Sequence, residues 1–155
     1  MDALRSLSLT IAIVLLGAVL GAGLYESSVM APNYQANIPE SLNHVKQFFS
    51  VANPGTYFRV VAPATQITLL VALILNWKVS ARRWWLVAAL LIAVGMDVVT
   101  FAYHYPRNVI LFSDPMNTPI DVLTGAAREW MYGNLIRCVM VTVALFCTNL
   151  RCGCV

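Results

Sequence analysis

Four long apolar runs constrain the fold of this chain more than any other feature of its sequence. They cover about residues 7–25, 57–77, 84–105 and 128–149, and each reaches or approaches the ~20 residues that a helix needs to cross a bilayer. Charged residues make up only 11% of the chain, against about 25% in a typical soluble domain. The sequence therefore predicts an all-α integral membrane four-helix bundle, with residues 1–155 forming one transmembrane domain.

The first apolar run has a second interpretation, because a cleaved signal peptide also contains an apolar stretch. The run from Leu7 to Leu24 is nearly long enough to span a membrane, and it passes into Tyr25 without a clear cleavage pattern. We therefore predict a retained helix, with a signal peptide as the alternative.

The connections between the runs contain several prolines. Residues 27–56 form a long polar stretch in which a short extra helix is predicted over about residues 39–49. Pro63 lies early in the second run and predicts a kink or a late start of that helix. Pro106 is predicted to end the third run, followed by a polar connection over residues 107–125.

The distribution of basic residues predicts the orientation of the chain in the membrane. The two longer loops are predicted on one side of the membrane, and they contain both basic and acidic residues. On the opposite side the basic residues are concentrated in short flanks. Both termini and the tight turn at residues 78–83 are therefore predicted to lie in the cytoplasm. The basic residues on this side are Arg5, Lys78, Arg82, Arg83 and Arg151.

Charge and cysteine content exclude some classes of partner and cross-link. The net charge is only +3 and the basic residues form no stripe, so no nucleic-acid partner is predicted. The positions of Cys138, Cys147, Cys152 and Cys154 do not suggest a disulfide framework. We interpret the C-terminal pair as incidental thiols rather than as a lipidation site.

Ionisable residues inside the apolar runs are the best sequence clue to function. Each costs at least ~2.5–3.5 kcal/mol at mid-bilayer, so such residues usually face the interior of a bundle. Glu26 ends the first run, Asp97 lies in the third and Arg137 in the fourth. Helical spacing places His104 on the same face as Asp97, and Asn134 on the same face as Arg137. Trp130 and Asn108 extend this polar set toward the outer side.

Two interpretations of this polar set remain open. Asp97 and Arg137 lie at similar depths and could form a buried ion pair that fixes how the helices pack. Alternatively, the whole set lines a polar pocket in the outer half of the bundle that binds or transforms a ligand. We favour the pocket, because one structural pair does not require so many polar neighbours.

A metal site is not predicted, and no cofactor can be assigned. Glu26, Asp97 and His104 would supply one imidazole and two carboxylates, but the chain contains no HxxxH or HExxH motif. His104 is instead a candidate general acid or base, because histidine titrates near neutral pH.

Several short motifs occur between residues 17 and 146. They are Gly21–Ser27 followed by Pro32, Pro39–Leu42, Asn76-Trp77 with Arg82-Arg83, Thr100–Pro106 with Asn108, and Trp130 with Asn134 and Arg137. Taken together, these motifs resemble the anthrone-oxygenase-like family of small four-helix membrane proteins, most of whose members are uncharacterised. The resemblance implies a bundle with a pocket near one membrane face, and a few members oxidise anthrone to anthraquinone. The polar positions that the resemblance covers are Glu26, Asn108, Trp130, Asn134 and Arg137.

Two functions compete on this evidence. The first is an enzyme that oxidises or binds a lipophilic small molecule, with His104 or Glu26 as the base and Arg137 and Asn134 stabilising an oxyanion. In that hypothesis Asp97, Asn108 and Trp130 also contact the ligand. The second is a non-enzymatic membrane subunit for binding, assembly or transport support, which forms homo-oligomers or joins a larger complex. Membrane lipid surrounds the chain in either case.

Overall fold

The computed structural model describes residues 2–150, and most of these residues are helical with no strand among them. Two π-helical turns, Glu26–Met30 and Thr100–His104, continue the helices that precede them. The prediction of an all-α fold is confirmed. The α-helices are α1 (Asp2–Tyr25), α2 (Ala31–Gln35), α3 (Glu40–Phe48), α4 (Pro54–Leu75), α5 (Ser80–Val99), α6 (Tyr105–Phe112) and α7 (Ile120–Asn149).

Four helical stretches are long and apolar enough to cross a membrane, which confirms the predicted membrane bundle. They cover Asp2–Gln35, Pro54–Leu75, Ser80–Phe112 and Ile120–Asn149. A helix of 34 residues is about 51 Å long, whereas the hydrocarbon core of a bilayer is about 30 Å thick. Three of the four stretches are therefore long enough to project well beyond the hydrocarbon.

The four long helices form a ring in which α1 and α5 each pack against both α4 and α7. The Nε of Arg5, near the start of α1, donates a hydrogen bond of 2.8 Å to the carbonyl of Leu75 at the end of α4. The start of α1 and the turn between α4 and α5 (residues 76–79) therefore lie at the same end of the bundle, which we call the basic end. The additional length of the stretches Asp2–Gln35, Ser80–Phe112 and Ile120–Asn149 projects at the opposite end.

The buried apolar residues of the described chain form three clusters, the smallest of which consists of Ala72, Leu73 and Leu86 on α4 and α5. The core cluster lies between the four long helices and includes Leu16, Leu69 and Val141. The cap cluster lies beyond it, where α3 packs against α2 and α6 and these two helices contact α7, and it includes Leu42 and Leu111. The predicted short helix is confirmed as α3, and it closes the bundle at the end opposite the basic end.

The first and third membrane helices are longer than the sequence predicted. The first continues to Gln35 rather than ending near Tyr25. The prediction that Pro106 ends the third is wrong, because the helical path continues through this residue to Phe112. The second helix begins at Pro54, before the predicted start, and contains Pro63 in its interior.

A π-helical turn precedes the proline in each of the two extended helices. The N–H of Ala31 donates to the carbonyl of Glu26, and the N–H of Tyr105 donates to the carbonyl of Thr100, five residues earlier in each case. A proline ring clashes with the carbonyl four residues before it in a regular α-helix. Because the turn just before each proline is wider than an α-helical turn, this clash is relieved and the helix continues.

The last helix begins at Ile120, earlier than the predicted Arg128, so the connection before it is short. Cys138 and Cys147 are buried free thiols within this helix. The interpretation of Cys152 and Cys154 as incidental thiols remains a prediction, because both cysteines lie outside the described residues.

Candidate functional site

A layer of polar side chains separates the core cluster from the cap cluster. It consists of Glu26, His104, Asn134 and Arg137, contributed by the two π-helical turns and by α7. Glu26, His104 and Asn134 are buried, and Arg137 is partly buried. The structure thus brings together four of the predicted site residues, and we call this set the polar layer.

Asn134 links α7 to α1. Its Nδ2 donates hydrogen bonds of 2.9 Å to the carbonyl of Gly23 and 2.7 Å to Oγ of Ser27. A Cβ at Gly23 would lie 3.1 Å from Sγ of Cys138, so a residue without a side chain permits this close approach of the helices. The Oδ1 of Asn134 has no hydrogen-bond partner among residues 2–150. The Nδ2 group of Asn134 therefore holds α7 against α1, while its buried Oδ1 has no partner in residues 2–150.

His104 lies deep in the polar layer, with only 1% of its surface exposed. Its ring packs edge-on against Trp130, with centroids 5.4 Å apart, and against Tyr103 at 5.7 Å. Nε2 lies 2.9 Å from the position that a Cβ would occupy at Gly133. In the described part of the chain neither ring nitrogen has a hydrogen-bond partner. Both nitrogens are therefore available to a water or a ligand.

Trp130 connects the polar layer to the cap. Its indole Nε1 donates a hydrogen bond of 2.8 Å to Oδ1 of Asn108, as expected if these predicted residues share one site. The ring of Tyr34 packs edge-on against Trp130 with centroids 6.0 Å apart. Tyr34 was not predicted, because residues 27–56 were assigned to a polar loop. The available signal was the helical spacing of Met30 and Ala31, which stand four and three residues before Tyr34.

The ion pair between Asp97 and Arg137, one of the two interpretations left open by the sequence, is not formed. Asp97 Oδ2 instead accepts a hydrogen bond of 2.6 Å from Nε2 of Gln66 on α4, and no Asp97–Arg137 salt bridge is present among the residues described. The guanidinium of Arg137 lies over the ring of Phe58 at 5.1 Å. Both residues therefore have partners on α4, which their similar depths on the third and fourth membrane helices did not indicate.

Glu26 is the buried acid of the polar layer. Only 8% of its surface is exposed, and its Oε2 has no hydrogen-bond partner within residues 2–150. Its charge is close enough to that of Arg137 for the two to attract each other. Burial of a carboxylate without full hydrogen bonding is costly, so this position calls for an additional partner such as water or a ligand.

An ion pair at the cap holds the second π-helical turn against α7. Arg107 Nη2 lies 2.7 Å from Oε2 of Glu129, and Arg107 Nη1 donates a 2.7 Å hydrogen bond to the carbonyl of Tyr103. The hydroxyl of Tyr103 donates in turn to the carbonyl of Glu129 at 3.0 Å. The contacts among Tyr103, Arg107 and Glu129 were not predicted, because Arg107 was assigned to a polar connection rather than to a helix.

Open space inside the polar layer is small. The cavity lined by Gly23, Asn134, Arg137 and Cys138 has a volume of about 10 Å³, which suits roughly one water molecule. Among the side chains that the structure describes, no group of three or more His, Cys, Asp or Glu residues could hold a metal ion. Glu26, Asp97 and His104 therefore do not form the three-residue ligand set considered from sequence.

The geometry of the polar layer suits proton transfer. Glu26 and His104 are buried groups that can each take up or release a proton, and the charge of Arg137 acts on both. Asn134 adds a hydrogen-bonding group whose orientation is fixed by two bonds. These elements define a class of small helical membrane protein with a buried acid–base cluster between its core and its cap.

The chain belongs to the anthrone oxygenase family. The family model described as "Anthrone oxygenase" matches residues 41–147, more than half of the chain, which confirms the resemblance predicted from the motifs. The match contains His104, Asn134 and Arg137 but begins after Glu26. No curated protein and no solved structure matches the chain.

Proposed function

We propose that this protein oxidises a lipophilic aromatic molecule that carries an activated CH₂ group, such as an anthrone, and that the polar layer is its catalytic centre. The observation that carries the proposal is the burial of Glu26 and His104, whose polar atoms include ones without a hydrogen-bond partner among residues 2–150, in the same layer as Arg137. Membership of the anthrone oxygenase family supports the reaction type. A lipophilic substrate is also consistent with a protein that membrane lipid surrounds.

The proposed reaction begins with removal of a proton from the CH₂ group by His104 or Glu26. The electron pair left on carbon delocalises into the aromatic rings and onto an oxygen of the substrate. Arg137 and Asn134 then stabilise the resulting oxyanion, as preorganised donors do. Molecular oxygen accepts the electrons and forms a C–O bond, and the protonated hydroperoxide loses water to give a ketone. The CH₂ compound and O₂ are thus converted into the ketone and one water.

The remaining predicted residues have supporting parts in this proposal. Trp130 offers an aromatic face to a planar substrate, and Asn108 holds its indole ring through the 2.8 Å hydrogen bond. Asp97 lies toward the core cluster and is bonded to Gln66, so it acts on the site through the position of α4. Asp97 and Asn108 are therefore positioning residues rather than catalytic ones.

Substrate binding requires the polar layer to open, because the present cavity holds only about one water. The two π-helical turns are the segments best suited to this movement, since π-helical turns often occur at functional sites. Both turns adjoin the polar layer, and the second carries His104 itself. In this proposal the cap moves away from the core cluster when an aromatic molecule enters.

The test is oxygen consumption by the protein in lipid nanodiscs supplied with anthrone. We expect about one O₂ consumed per anthrone, with anthraquinone formed at a rate above that of empty nanodiscs. Glu26→Gln and His104→Gln should each reduce the rate, by about 10²–10⁴-fold for the residue that acts as the base. The matched controls Glu40→Gln and His44→Gln change exposed residues of α3 and should retain the wild-type rate. A wild-type rate equal to that of empty nanodiscs, or equal effects of all four variants, would contradict the proposal.

A second candidate function is a non-enzymatic membrane subunit that forms oligomers or joins a complex. The specific observation in its favour is the nearly filled interior, since about 10 Å³ of space suits a structural core better than a substrate site. Native mass spectrometry in mild detergent separates the two functions. A stable oligomer without anthrone oxidation would support the subunit, whereas an active monomer would exclude it.

We further propose that both termini lie in the cytoplasm. The argument is the concentration of Arg5, Lys78, Arg82 and Arg83 at the basic end, which follows the usual excess of basic residues in short cytoplasmic flanks. An epitope tag at the N-terminus should then be protected from protease in intact cells. A tag in the connection between α3 and α4 should be cleaved, and the reverse pattern would overturn this orientation.

A further inference from the structure

A second cavity lies at the basic end, far from the polar layer. It has a volume of about 320 Å³ and opens between the start of α1, the turn between α4 and α5, and the end of α7. This volume is at the lower end of the range of about 300–1,000 Å³ that is usual for small-molecule sites. The lining combines the polar side chains of Arg5, Thr10 and Arg82 with apolar ones such as Leu9 and Ile13.

Both arginines of this cavity are held in place by the fold. Arg5 Nε donates a 2.8 Å hydrogen bond to the carbonyl of Leu75, and Arg82 Nη1 donates a 3.2 Å hydrogen bond to Oδ1 of Asn76. Asn76 is fully buried and bonded to the carbonyl of Ala72, so it is a rigid support. A guanidinium carries five N–H donors, and these contacts leave several of them on each arginine for a ligand.

The charge of this cavity favours an anion. Arg82 forms no salt bridge with a carboxylate among the described residues. Within residues 2–150 one ion pair lies at the cavity, between Arg5 and Asp2 at 3.2 Å, and it is weak because the Asp2 side chain is 96% exposed. Lys78 and Arg83 in and beside the same turn add two further positive charges.

The depth of the cavity matches the headgroup region of a membrane. Trp77 and Trp84 are exposed beside it, and the guanidinium of Arg83 lies over both rings at 5.2 and 5.1 Å. Tryptophans beside arginine and lysine are typical of the boundary between membrane and water. A ligand here would place a charged group near the arginines and an apolar part along Leu9 and Ile13.

We propose that this cavity binds the phosphate ester headgroup of an anionic membrane phospholipid. The planar guanidinium groups of Arg5 and Arg82 suit bidentate contacts with phosphate oxygens. Basic pockets between membrane helices on the cytoplasmic side bind such headgroups. The same phosphate chemistry could come from a soluble phosphate, but the boundary position and the apolar lining favour a lipid. This site is independent of the reaction proposed for the polar layer.

The test is native mass spectrometry of the protein equilibrated with phosphatidylglycerol and phosphatidylcholine in detergent. We expect the wild type to retain one phosphatidylglycerol per chain in preference to phosphatidylcholine. Arg5→Gln combined with Arg82→Gln should reduce this preference about 30-fold, since each basic contact is worth roughly fivefold in affinity. The control pair Arg59→Gln and Arg128→Gln removes the same charge outside the cavity lining and should leave the preference unchanged.

A third variant keeps the proposal testable if the variant with both arginines replaced fails to fold. Asp2→Asn keeps both arginines and removes the one carboxylate of the lining among the described residues, so it should raise the preference, by up to about fivefold. The proposal is overturned if Asp2→Asn has no effect, if the control pair loses as much as the site pair, or if the wild type retains both lipids equally. Displacement of the lipid by equimolar inorganic phosphate would show a site for soluble phosphate and would also overturn it.

Discussion

Substitution of Gly133 by alanine should disturb the packing of the polar layer around His104. The added Cβ would lie 2.5 and 2.7 Å from two ring carbons of Tyr103 and 2.9 Å from Nε2 of His104. Neither ring can move away freely, because the Tyr103 hydroxyl is bonded to the carbonyl of Glu129 and His104 packs against Trp130. Overpacking of this kind costs about 1–3 kcal/mol in free energy of unfolding.

The matched control for this substitution is Gly125→Ala in the same helix. A Cβ at Gly125 would meet no atom within 4 Å. Both substitutions gain about 1 kcal/mol of helix propensity, so the difference between them isolates the clash. We expect Gly133→Ala to be less stable than Gly125→Ala by about 1–3 kcal/mol in denaturant titrations in mixed micelles, monitored by circular dichroism. Equal unfolding free energies for the two variants would refute the packing described for His104.

Three further substitutions test contacts between helices. Asn134→Leu removes both hydrogen bonds to α1 and should lower the free energy of unfolding by about 1–3 kcal/mol in the same titrations. Gln66→Leu leaves the Asp97 carboxylate without its amide donor and should cost about 1–3 kcal/mol, whereas Asp97→Asn should cost less. Arg107→Gln breaks an ion pair with the half-exposed Glu129 and should cost less than about 1 kcal/mol, with the loss decreasing at high salt.

Each of these substitutions has a control of the same chemistry at an exposed position. Asn33→Leu removes a hydrogen bond within its own helix, Gln47→Leu changes an exposed amide of α3, and Arg128→Gln removes a charge with no recorded salt bridge in residues 2–150. If a control destabilises the protein as much as its partner, the corresponding contact between helices contributes nothing measurable.

The number and position of the membrane helices could be predicted because the apolar runs are long and sparsely charged. The ends of the first and third helices could not be predicted. Pro32 and Asn33 are typical turn formers, and Pro106 is typical of a helix end. In the structure a π-helical turn precedes each proline and lets the helix continue. Such a turn depends on the packing of the surrounding helices, which a single sequence does not display.

The candidate site was predicted in part for a similar reason. Depth along each helix placed His104, Trp130 and Glu26 near the same end of the bundle, and the structure has His104 against Trp130 and Asn134 bonded to the end of α1. The partner of Asp97 could not be predicted, because the choice between partners depends on which neighbouring helix faces the carboxylate. Gln66 lies on such a helix, and its uncharged side chain gave no signal in a search for ionisable residues.

The two π-helical turns have a consequence for the geometry of the helices beyond them. A π-helical turn contains one residue more than the corresponding stretch of α-helix, and each residue of an α-helix advances the chain by about 100° around its axis. The turn at Glu26–Met30 therefore sets the angular position of α2, and with it the direction from which Tyr34 meets Trp130. A single additional residue in each helix thus changes the direction in which the cap side chains point relative to those of the core.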